Sequence, residues 1–302
     1  MMHQTIILGL NAVWQKNCHL EALRPGEVMR VSKLRCFASG KGANVAVALH
    51  VLGHSQVKLL QCLGGMNGHS IRTDLKRFSF QQEIIEIQNE NRNCSTLLES
   101  AGRVSELIEP SPLLNHDEWK LVAHRLKELL GTADSTILVT GSLPLGNDEA
   151  LWECMAQRKK NQALWIDSVD PRWLSLHPEM VKINAHEACH LAQTSDLTSA
   201  GLYLMEQFGL SNLVITNQNQ NGWANCEGKD FTFAVPTVNM VVNSTGAGDS
   251  FFAGIYYARS LQFPWGTACD FAAHVAASRC KFERIEDISF QPGGPFEQYL
   301  SR

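Results

Sequence analysis

The 302-residue chain has 26 lysine and arginine residues against 30 aspartate and glutamate residues, which gives a formal net charge of −4. With 44% hydrophobic residues, a chain of this length can bury about three quarters of the surface that it exposes when unfolded. The charge excludes a global basic field, so we expect no nucleic acid partner and only local sites for anions. No apolar run approaches the about 18 residues of a membrane span and no signal peptide is evident, so we expect a cytoplasmic protein without a membrane partner.

Short apolar, β-branched runs alternate along the chain with longer segments of helical periodicity. The short runs predict strands at 5–8, 57–60, 136–139, 163–166 and 213–216, with a further strand-like run at 238–242. The periodic segments predict helices at 44–52, 116–130, 147–160, 196–209, 249–262 and 266–281. This alternation predicts an α/β fold in which a mostly parallel central sheet is covered by helices on both faces.

Two stretches, 17–37 and 83–109, interrupt this alternation. Both contain short alternating segments with turn signals, which favour hairpins over crossover helices. We therefore expect a single domain over residues 1–302, with these two stretches forming a small β-sheet lid. A small sheet with two faces buries few of its own apolar side chains. The apolar residues that favour a homodimer through the lid are Ile84, Ile85, Ile87, Leu97 and Leu98.

The segment from Asn243 to Gly254 is rich in glycine and opens a predicted helix. Glycines at 246 and 248 allow successive backbone N–H groups to face one point, and a helix N-terminus favours negative charge there. The amides of Gly246, Ala247 and Gly248 are therefore a predicted anion hole. Asp249 lies where a carboxylate accepts the proton of a hydroxyl that attacks a phosphoryl group. The alternative is that Asp249 only caps the helix.

A second glycine-rich element, Ser39–Asn44, precedes another predicted helix. It lacks the first glycine of a phosphate-binding P-loop and the third glycine of a dinucleotide fingerprint. One interpretation is a cradle for a small anion in which Lys41 supplies a point charge. The other is a solvated lysine in a turn.

The segment Lys182–His190 supports two incompatible interpretations. His186 and His190, with Glu187 beside the first, match the HExxH pattern of a zinc hydrolase. Asn184 and Glu187 at a spacing of three, with Lys182 two residues before, instead suit hydrated magnesium and phosphate oxygens. The extended pattern of a third zinc-binding histidine is absent.

Three short motifs, taken together in their order along the chain, resemble the ribokinase (PfkB) family of carbohydrate kinases over essentially the whole chain. From the N-terminus they are Gly40-Lys41-Gly42-Ala43-Asn44 (GKGxN), Asn184 with Glu187 (NxxE), and Gly246-Ala247-Gly248-Asp249 (GAGD). Finer features are similar to the phosphosugar branch that includes 1-phosphofructokinase and tagatose-6-phosphate kinase, namely Gly141-Ser142-Leu143-Pro144 and Arg92-Asn93. The resemblance implies a three-layer ribokinase-like fold with a β-sheet lid.

The resemblance also implies transfer of a phosphoryl group from ATP, with Mg²⁺, to a hydroxyl of a sugar of the fructose 1-phosphate or tagatose 6-phosphate type. Asp249 would be the base, and Asn184 with Glu187 would hold Mg²⁺ through water. The implied ATP-binding residues are Lys182, Asn184, Thr216, Gly222 and Ser244. The implied substrate-binding residues are Asn11, Gln15, Gly40, Lys41, Asn44, Arg92, Asn93 and Ser142, of which Lys41 and Arg92 would hold the phosphate already on the sugar.

The chain departs from the family pattern at several positions. Gln15 stands where an aspartate of the family binds sugar hydroxyls, so a charge-assisted contact is absent. Asn243 replaces an aspartate before the anion hole, and the adenine-side loop 216–222 lacks its first glycine. Two alternatives therefore stay open: a kinase for an unphosphorylated sugar or nucleoside, and a non-catalytic relative that binds a sugar phosphate or nucleotide.

Overall fold

The computed structural model describes residues 3–131 and 134–288, and the remaining residues of the predicted 1–302 domain lie outside this description. The strands are β1 Gln4–Leu8, β2 Val13–Leu20, β3 Lys33–Ser39, β4 Val57–Leu63, β5 Gln81–Glu86, β6 Arg92–Glu99, β7 Val104–Ile108, β8 Ser135–Thr140, β9 Ala163–Asp167, β10 Met180–Asn184, β11 Asn212–Asn217, β12 Gln220–Cys226 and β13 Lys229–Phe233. The helices are α1 Lys41–Val51, α2 Gly65–Leu75, α3 His116–Gly131, α4 Glu149–Ala156, α5 Pro171–Leu174, α6 Ala185–Ala192, α7 Leu197–Phe208, α8 Ala247–Ser260 and α9 Trp265–Arg279.

The large sheet has the strand order β13-β12-β11-β10-β9-β8-β1-β4-β5. The seven strands β11, β10, β9, β8, β1, β4 and β5 pair with their neighbours in parallel. Strands β12 and β13 add antiparallel strands at one edge. Central strands such as β1 and β8 are buried along their length because helices cover both of their faces. The predicted mostly parallel central sheet is therefore confirmed.

Successive side chains of a strand point to opposite faces of the sheet, and each face has its own apolar core. Ile7 of β1 packs in a core with residues of α1, α8 and α9. Its neighbours Ile6 and Leu8 pack in a second core with residues of α3, α4, α6 and α7. The two cores confirm the predicted three layers. No helix within the described ranges is both long enough and apolar enough to cross a membrane.

The small sheet, called the lid sheet below, has the order β3-β2-β6-β7. It includes parts of both predicted lid stretches, but the second stretch contributes only from Arg92 onward. Residues 83–86 belong to β5, which pairs in parallel with β4 in the large sheet. Ile85 and Ile87 are buried against the large sheet's core, so the apolar side chains at 84–87 give no support to a dimer through the lid. That part of the prediction was wrong because a buried parallel edge strand and a lid strand share the same apolar signal.

The structure differs from the sequence-based prediction at two further places. Residues 238–242 form an irregular segment rather than a strand, and Met240 in it is exposed. Helix α2 was not predicted, because its buried face is limited to Gly68, Ile71 and Leu75 and its sequence carries little helical periodicity.

The order of strands places a ligand site between β1 and β8. The chain runs from β1 through α1 to β4 on one side, and β8 later joins the other side of β1. At such a switch point the connections diverge and leave a crevice at the carboxyl ends of the strands. The segments that follow β1, β8, β9 and β10 all begin at this edge, so their polar residues converge there.

Candidate active site

The turn before α8 has the geometry of an anion-binding loop. Gly246 precedes the helix in the left-handed region, with φ of 83°, where a side chain would strain the backbone. The side chain of Asn243 accepts a hydrogen bond from the backbone N–H of Thr245 at 2.9 Å, which fixes the entry to the turn. The amide of Ala247 donates to the carbonyl of Ser244 at 3.1 Å, so the amides of Gly246 and Gly248 are the stronger candidates for binding an anion.

Asp249 lies in the first turn of α8 and is 6% exposed. Its Oδ2 accepts a hydrogen bond from Nδ2 of Asn44 at 2.7 Å, which brings the GKGxN and GAGD motifs together. Burial raises the pKa of the Asp249 carboxyl above its ordinary value, although Lys41 opposes that shift. A carboxylate with a raised pKa is a stronger proton acceptor once it is ionised, as a general base requires.

A second buried carboxylate, Asp167 at the end of β9, binds two lysines. Its Oδ1 accepts hydrogen bonds from Nζ of Lys41 and from Nζ of Lys182, each at 3.2 Å. Burial alone would raise the pKa of Asp167, but the two ammonium groups outweigh it and the pKa lies below its ordinary value. Burial likewise disfavours charged Lys41, yet Asp167 and Asp249 raise its pKa, so this lysine stays protonated.

Asp167 is not among the site residues predicted from the sequence. The available signal was its place directly after the predicted strand 163–166, at the edge where the other motifs converge. Lys182 is buried, and its Nζ lies 3.2 Å from the point where a Cβ on Gly248 would stand. The structure thus brings Lys182 against the first turn of α8.

A cavity of about 130 Å³ lies at the switch point. Its lining residues are Gly9, Asn11, Lys41, Gly42, Arg92, Thr140, Gly141 and Ser142. Nδ2 of Asn11 donates to Oγ of Ser142 at 3.0 Å, and Nε of Arg92 is buried without a hydrogen-bond partner. Four predicted substrate residues, including both cationic ones, therefore line one cavity.

A wider cavity of about 630 Å³ opens beside the first and shares Lys41, Gly141 and Ser142 with it. Glu187 also lines it. Its size falls within the range of pockets that hold ligands of drug size or cofactors. A ligand in the wider cavity and a ligand in the smaller one would both contact Lys41.

Gln15 and Asn93, two predicted substrate residues in the lid sheet, lie on opposite faces of that sheet. Gln15 faces the body and lines a narrow cleft with Asn44, while its Nε2 donates to Oδ1 of Asn17 at 3.1 Å and to Oγ1 of Thr96 at 2.7 Å. Asn93 follows Arg92 in β6 and therefore points to the opposite face. There its side chain donates to Glu109 at 2.9 Å, so the structure does not bring it into the cavity of Arg92.

The remaining predicted residues occupy varied places. Gly40 precedes α1, where a Cβ would lie 3.2 Å from the carbonyl oxygen of Asn11. Oγ1 of Thr216 donates to the carbonyl of Ile183 at 3.4 Å, and Ser244 is exposed. Gly222 leaves room for the ring of Phe233 on the neighbouring strand, which explains this glycine by packing alone.

Asn184 and Glu187 form a reciprocal capping box at the start of α6. Oδ1 of Asn184 accepts from the amide of Glu187, and Oε2 of Glu187 accepts from the amide of Asn184, each at 2.9 Å. Glu187 is thus held by its own helix rather than poised as the base of a zinc hydrolase. In the described part of the chain, no group of three His, Cys, Asp or Glu side chains could hold a metal ion, so His186 and His190 lack a third ligand.

Oxygen donors suited to magnesium are nevertheless present at this edge. Oδ2 of Asp167 is buried without a hydrogen-bond partner, and Glu187 lines the wider cavity. Mg²⁺ is usually held by one or two carboxylates, with waters and substrate phosphates as the other ligands. The donor set therefore fits a magnesium ion that arrives with a nucleotide.

A buried aspartate at a helix N-terminus, with cationic side chains around adjoining cavities, suits the transfer of a phosphoryl group to a small molecule. The family model described as pfkB family carbohydrate kinase matches residues 10–282. The chain belongs to this family of carbohydrate kinases.

Individual relatives agree with that assignment. The chain is 30% identical over 272 residues to a 1-phosphofructokinase of Borreliella burgdorferi, with 84% of this chain and 86% of that protein covered. It is 25% identical over 263 residues to a tagatose-6-phosphate kinase of Staphylococcus epidermidis, with 83% of each covered.

Solved structures show the same fold. Phosphofructokinase-2 from Escherichia coli in complex with substrates and products has a TM-score of 0.85 at 19% identity, over 99% of this chain and 100% of that one. Ribokinase from Thermotoga maritima has a TM-score of 0.78 at 17% identity, over 95% of each chain. The predicted ribokinase-like fold and the predicted family are both confirmed.

Proposed function

We propose that this carbohydrate kinase transfers the γ-phosphoryl group of ATP, with Mg²⁺, to a hydroxyl of a sugar that already carries a phosphate. The observation that carries the proposal is the guanidinium of Arg92. It lines the smaller cavity with Lys41, its Nε is buried without a partner, and within the described ranges no carboxylate forms an ion pair with it. A half-buried guanidinium without an ion pair favours a ligand with a fork of anionic oxygens, as a phosphate has. The two named relatives both act, by their names, on phosphorylated sugars.

The other residues take roles that follow from their positions. Asn11 and Ser142 bind sugar hydroxyls beside Arg92, and the acceptor hydroxyl then faces Asp249. Asp249 takes the proton of that hydroxyl as it attacks the γ-phosphorus, while Asn44 keeps the carboxylate oriented. The amides at the start of α8 and the ammonium of Lys182 bind the oxygens on which charge develops.

We place the nucleotide phosphates between the start of α8 and the wider cavity, near Glu187 and Asp167. When bound, Mg²⁺ neutralises charge on the phosphates and aligns them for displacement. Closure of the lid sheet would exclude water, which otherwise competes with the sugar as acceptor.

A kinase for an unphosphorylated sugar has one observation in its favour. The ammonium of Lys41 is already paired with Asp167 at 3.2 Å, which leaves Arg92 to provide most of the attraction for a second phosphate. A panel of acceptors separates the two functions. The panel pairs fructose 1-phosphate, fructose 6-phosphate and tagatose 6-phosphate with fructose, tagatose, ribose and a nucleoside.

We expect turnover with at least one phosphorylated ketohexose, and little with its unphosphorylated partner. We expect Arg92→Met to raise the KM for the phosphosugar by about tenfold to a hundredfold, as loss of a charge-assisted hydrogen bond predicts, and to leave the KM for ATP nearly unchanged. Arg103→Met is the matched control, because Arg103 lies in the turn between β6 and β7 of the lid sheet and pairs with Glu99. Preference for an unphosphorylated acceptor would establish the alternative function, and ligand binding without turnover across the panel would establish a non-catalytic relative.

A further inference from the structure

A buried arginine next to the anion hole has no role in the proposed reaction. Arg279 is the last residue of α9 and is 2% exposed. Its Nη1 donates to the carbonyl oxygens of Phe282 at 2.7 Å and Asn243 at 3.4 Å, and its Nη2 donates to that of Glu283 at 3.4 Å. In residues 3–131 and 134–288, no carboxylate lies within ion-pair distance of it. Its direct hydrogen-bond partners there are peptide carbonyls, while Asp249, Glu286 and Asp287 favour its charge from beyond ion-pair distance. Burial of a charge without an ion pair is costly in a protein interior.

The guanidinium adjoins the turn that opens α8. Its Nε is buried without a hydrogen-bond partner and lies 3.6 Å from the point where a Cβ on Gly246 would stand. Asn243, whose carbonyl Arg279 binds, also fixes Thr245 through its side chain. Arg279 thus contacts the turn on both sides of the residues that form it.

The carbonyl oxygens around Arg279 have the character of a cation site. Phe282 and Glu283 belong to the segment after α9, and Asn243 belongs to the turn. Main-chain carbonyls that converge from separate segments are the ligands with which proteins hold monovalent metal ions. Here a covalently attached monocation, which stays protonated at any working pH, occupies that position.

We propose that Arg279 is a positioning residue that serves as a built-in monovalent cation. It joins the segment after α9 to the turn at 243–246, and its fixed charge favours the negative phosphoryl group at the start of α8. It acts through the turn. Turnover therefore needs no added monovalent metal ion. This inference rests on the proposed function, because it assigns a role within that same phosphoryl transfer.

The wild-type protein gives the first test. Initial rates are measured at saturating ATP and phosphosugar in chloride salts of K⁺, Na⁺ and tetramethylammonium at equal ionic strength. We expect kcat to agree within about twofold among the three salts. A kcat that rises tenfold or more with K⁺ would overturn the proposal, because it would reveal a separate site for that ion.

The second test removes the guanidinium and then returns it. We expect Arg279→Ala to lower kcat by about a hundredfold, as loss of one oxyanion-stabilising group does, with a smaller change in the KM for the phosphosugar. Guanidinium chloride at millimolar, non-denaturing concentration, or K⁺, restores much of the lost kcat by entering the vacated space. Arg279→Lys keeps the charge and loses less activity than the alanine variant.

Arg259→Ala is the matched control. Arg259 lies in α8, its guanidinium stacks on Trp265 and it donates to the carbonyl of Phe263, but it is remote from the turn. We expect its kcat to stay near wild type and to show no response to guanidinium. A folded Arg279→Ala that keeps wild-type kcat, or whose loss neither cation restores, would refute the inference. If the alanine variant does not fold, the lysine variant and the wild-type salt series decide. Failure of the wild-type protein to phosphorylate any acceptor would instead refute the proposed function.

Discussion

Two aspartates at the same site show how environment assigns different tasks to one type of side chain. Asp167 and Asp249 are 1% and 6% exposed, so burial alone does not distinguish them. Asp167 accepts hydrogen bonds from two ammonium groups, whereas Asp249 accepts one from the neutral amide of Asn44. The pKa of Asp167 is consequently lowered and that of Asp249 is raised. A pair of carboxyls whose pKa values are driven apart is the arrangement in which one remains a fixed anion and the other exchanges protons.

The largest expected effect comes from Asp249→Asn. The asparagine keeps the shape and can still accept the hydrogen bond from Asn44, but it takes no proton from the sugar hydroxyl. We expect kcat to fall by about a thousandfold or more, in line with the contribution of a general base, while ATP affinity stays within a few-fold of wild type. Steady-state kinetics and calorimetric titration with ATP measure the two quantities.

Stability provides the control for that variant. Because burial disfavours the charged form of Asp249, replacing it by a neutral amide leaves the melting temperature at neutral pH unchanged or slightly higher. A variant that keeps wild-type turnover would show that another group accepts the proton. A variant that melts well below wild type would show that Asp249 has a structural role instead.

The next largest effect is expected from Asp167→Asn, measured as stability. This change leaves the buried ammonium of Lys182 without its countercharge, and removal of one partner from a buried ion pair costs about 3–5 kcal/mol. Urea unfolding at neutral pH measures the loss. Because Lys182 lies against the start of α8, we also expect weaker binding of ATP.

The neighbouring Asp170→Asn is the matched control for Asp167→Asn. Asp170 pairs with Arg172 near the surface and precedes α5, where asparagine caps a helix as well as aspartate does. We expect it to change the free energy of unfolding by less than about 1 kcal/mol. Equal losses in the two variants would mean that the ion pairs of Asp167 contribute no more than a surface pair.

The sequence predicted the fold well wherever its elements were strongly patterned. The parallel strands at 5–8, 136–139 and 163–166 all lie within observed strands, because fully buried strands carry unbroken apolar runs. The pattern failed at 83–91, where an apolar edge strand of the large sheet looked like part of the lid. It also failed at 238–242, where β-branched residues lie in an exposed segment with no neighbouring strand to pair with.

Candidate site residues were predictable where glycine motifs marked them, and less so where only tertiary contacts do. The GAGD and GKGxN motifs lead directly to Asp249 and Asn44, which the fold brings to 2.7 Å. Asp167 has no motif around it and gains its importance from two lysines, 126 and 15 residues away in sequence. Asn93 was grouped with Arg92 by resemblance, yet adjacent residues of a strand face opposite sides.

The smallest expected effect is a separation between loss of activity and loss of structure in acid. Asp249 must be ionised to accept a proton, and its pKa lies above the ordinary aspartate value of 3.8. The kcat/KM therefore begins to fall while the pH is still above 3.8. Protonation of Asp249 does not unfold the protein, because a raised folded pKa means that acid favours the folded state at this group. Asp167 behaves oppositely, since its folded pKa is below 3.8, and the stability it provides is lost only as the pH falls further.

We therefore expect a range of mildly acidic pH in which turnover is reversibly lost while circular dichroism stays native. Measurements of kcat/KM and of ellipticity on the same samples, from neutral pH to about 4, define this range, and return to neutral pH restores the rate. Rates and ellipticity that decline together, or rates that hold constant down to the ordinary aspartate pKa, would contradict the assignment. The first result would tie the loss to unfolding, and the second would mean that the proton acceptor is not a buried carboxyl with a raised pKa.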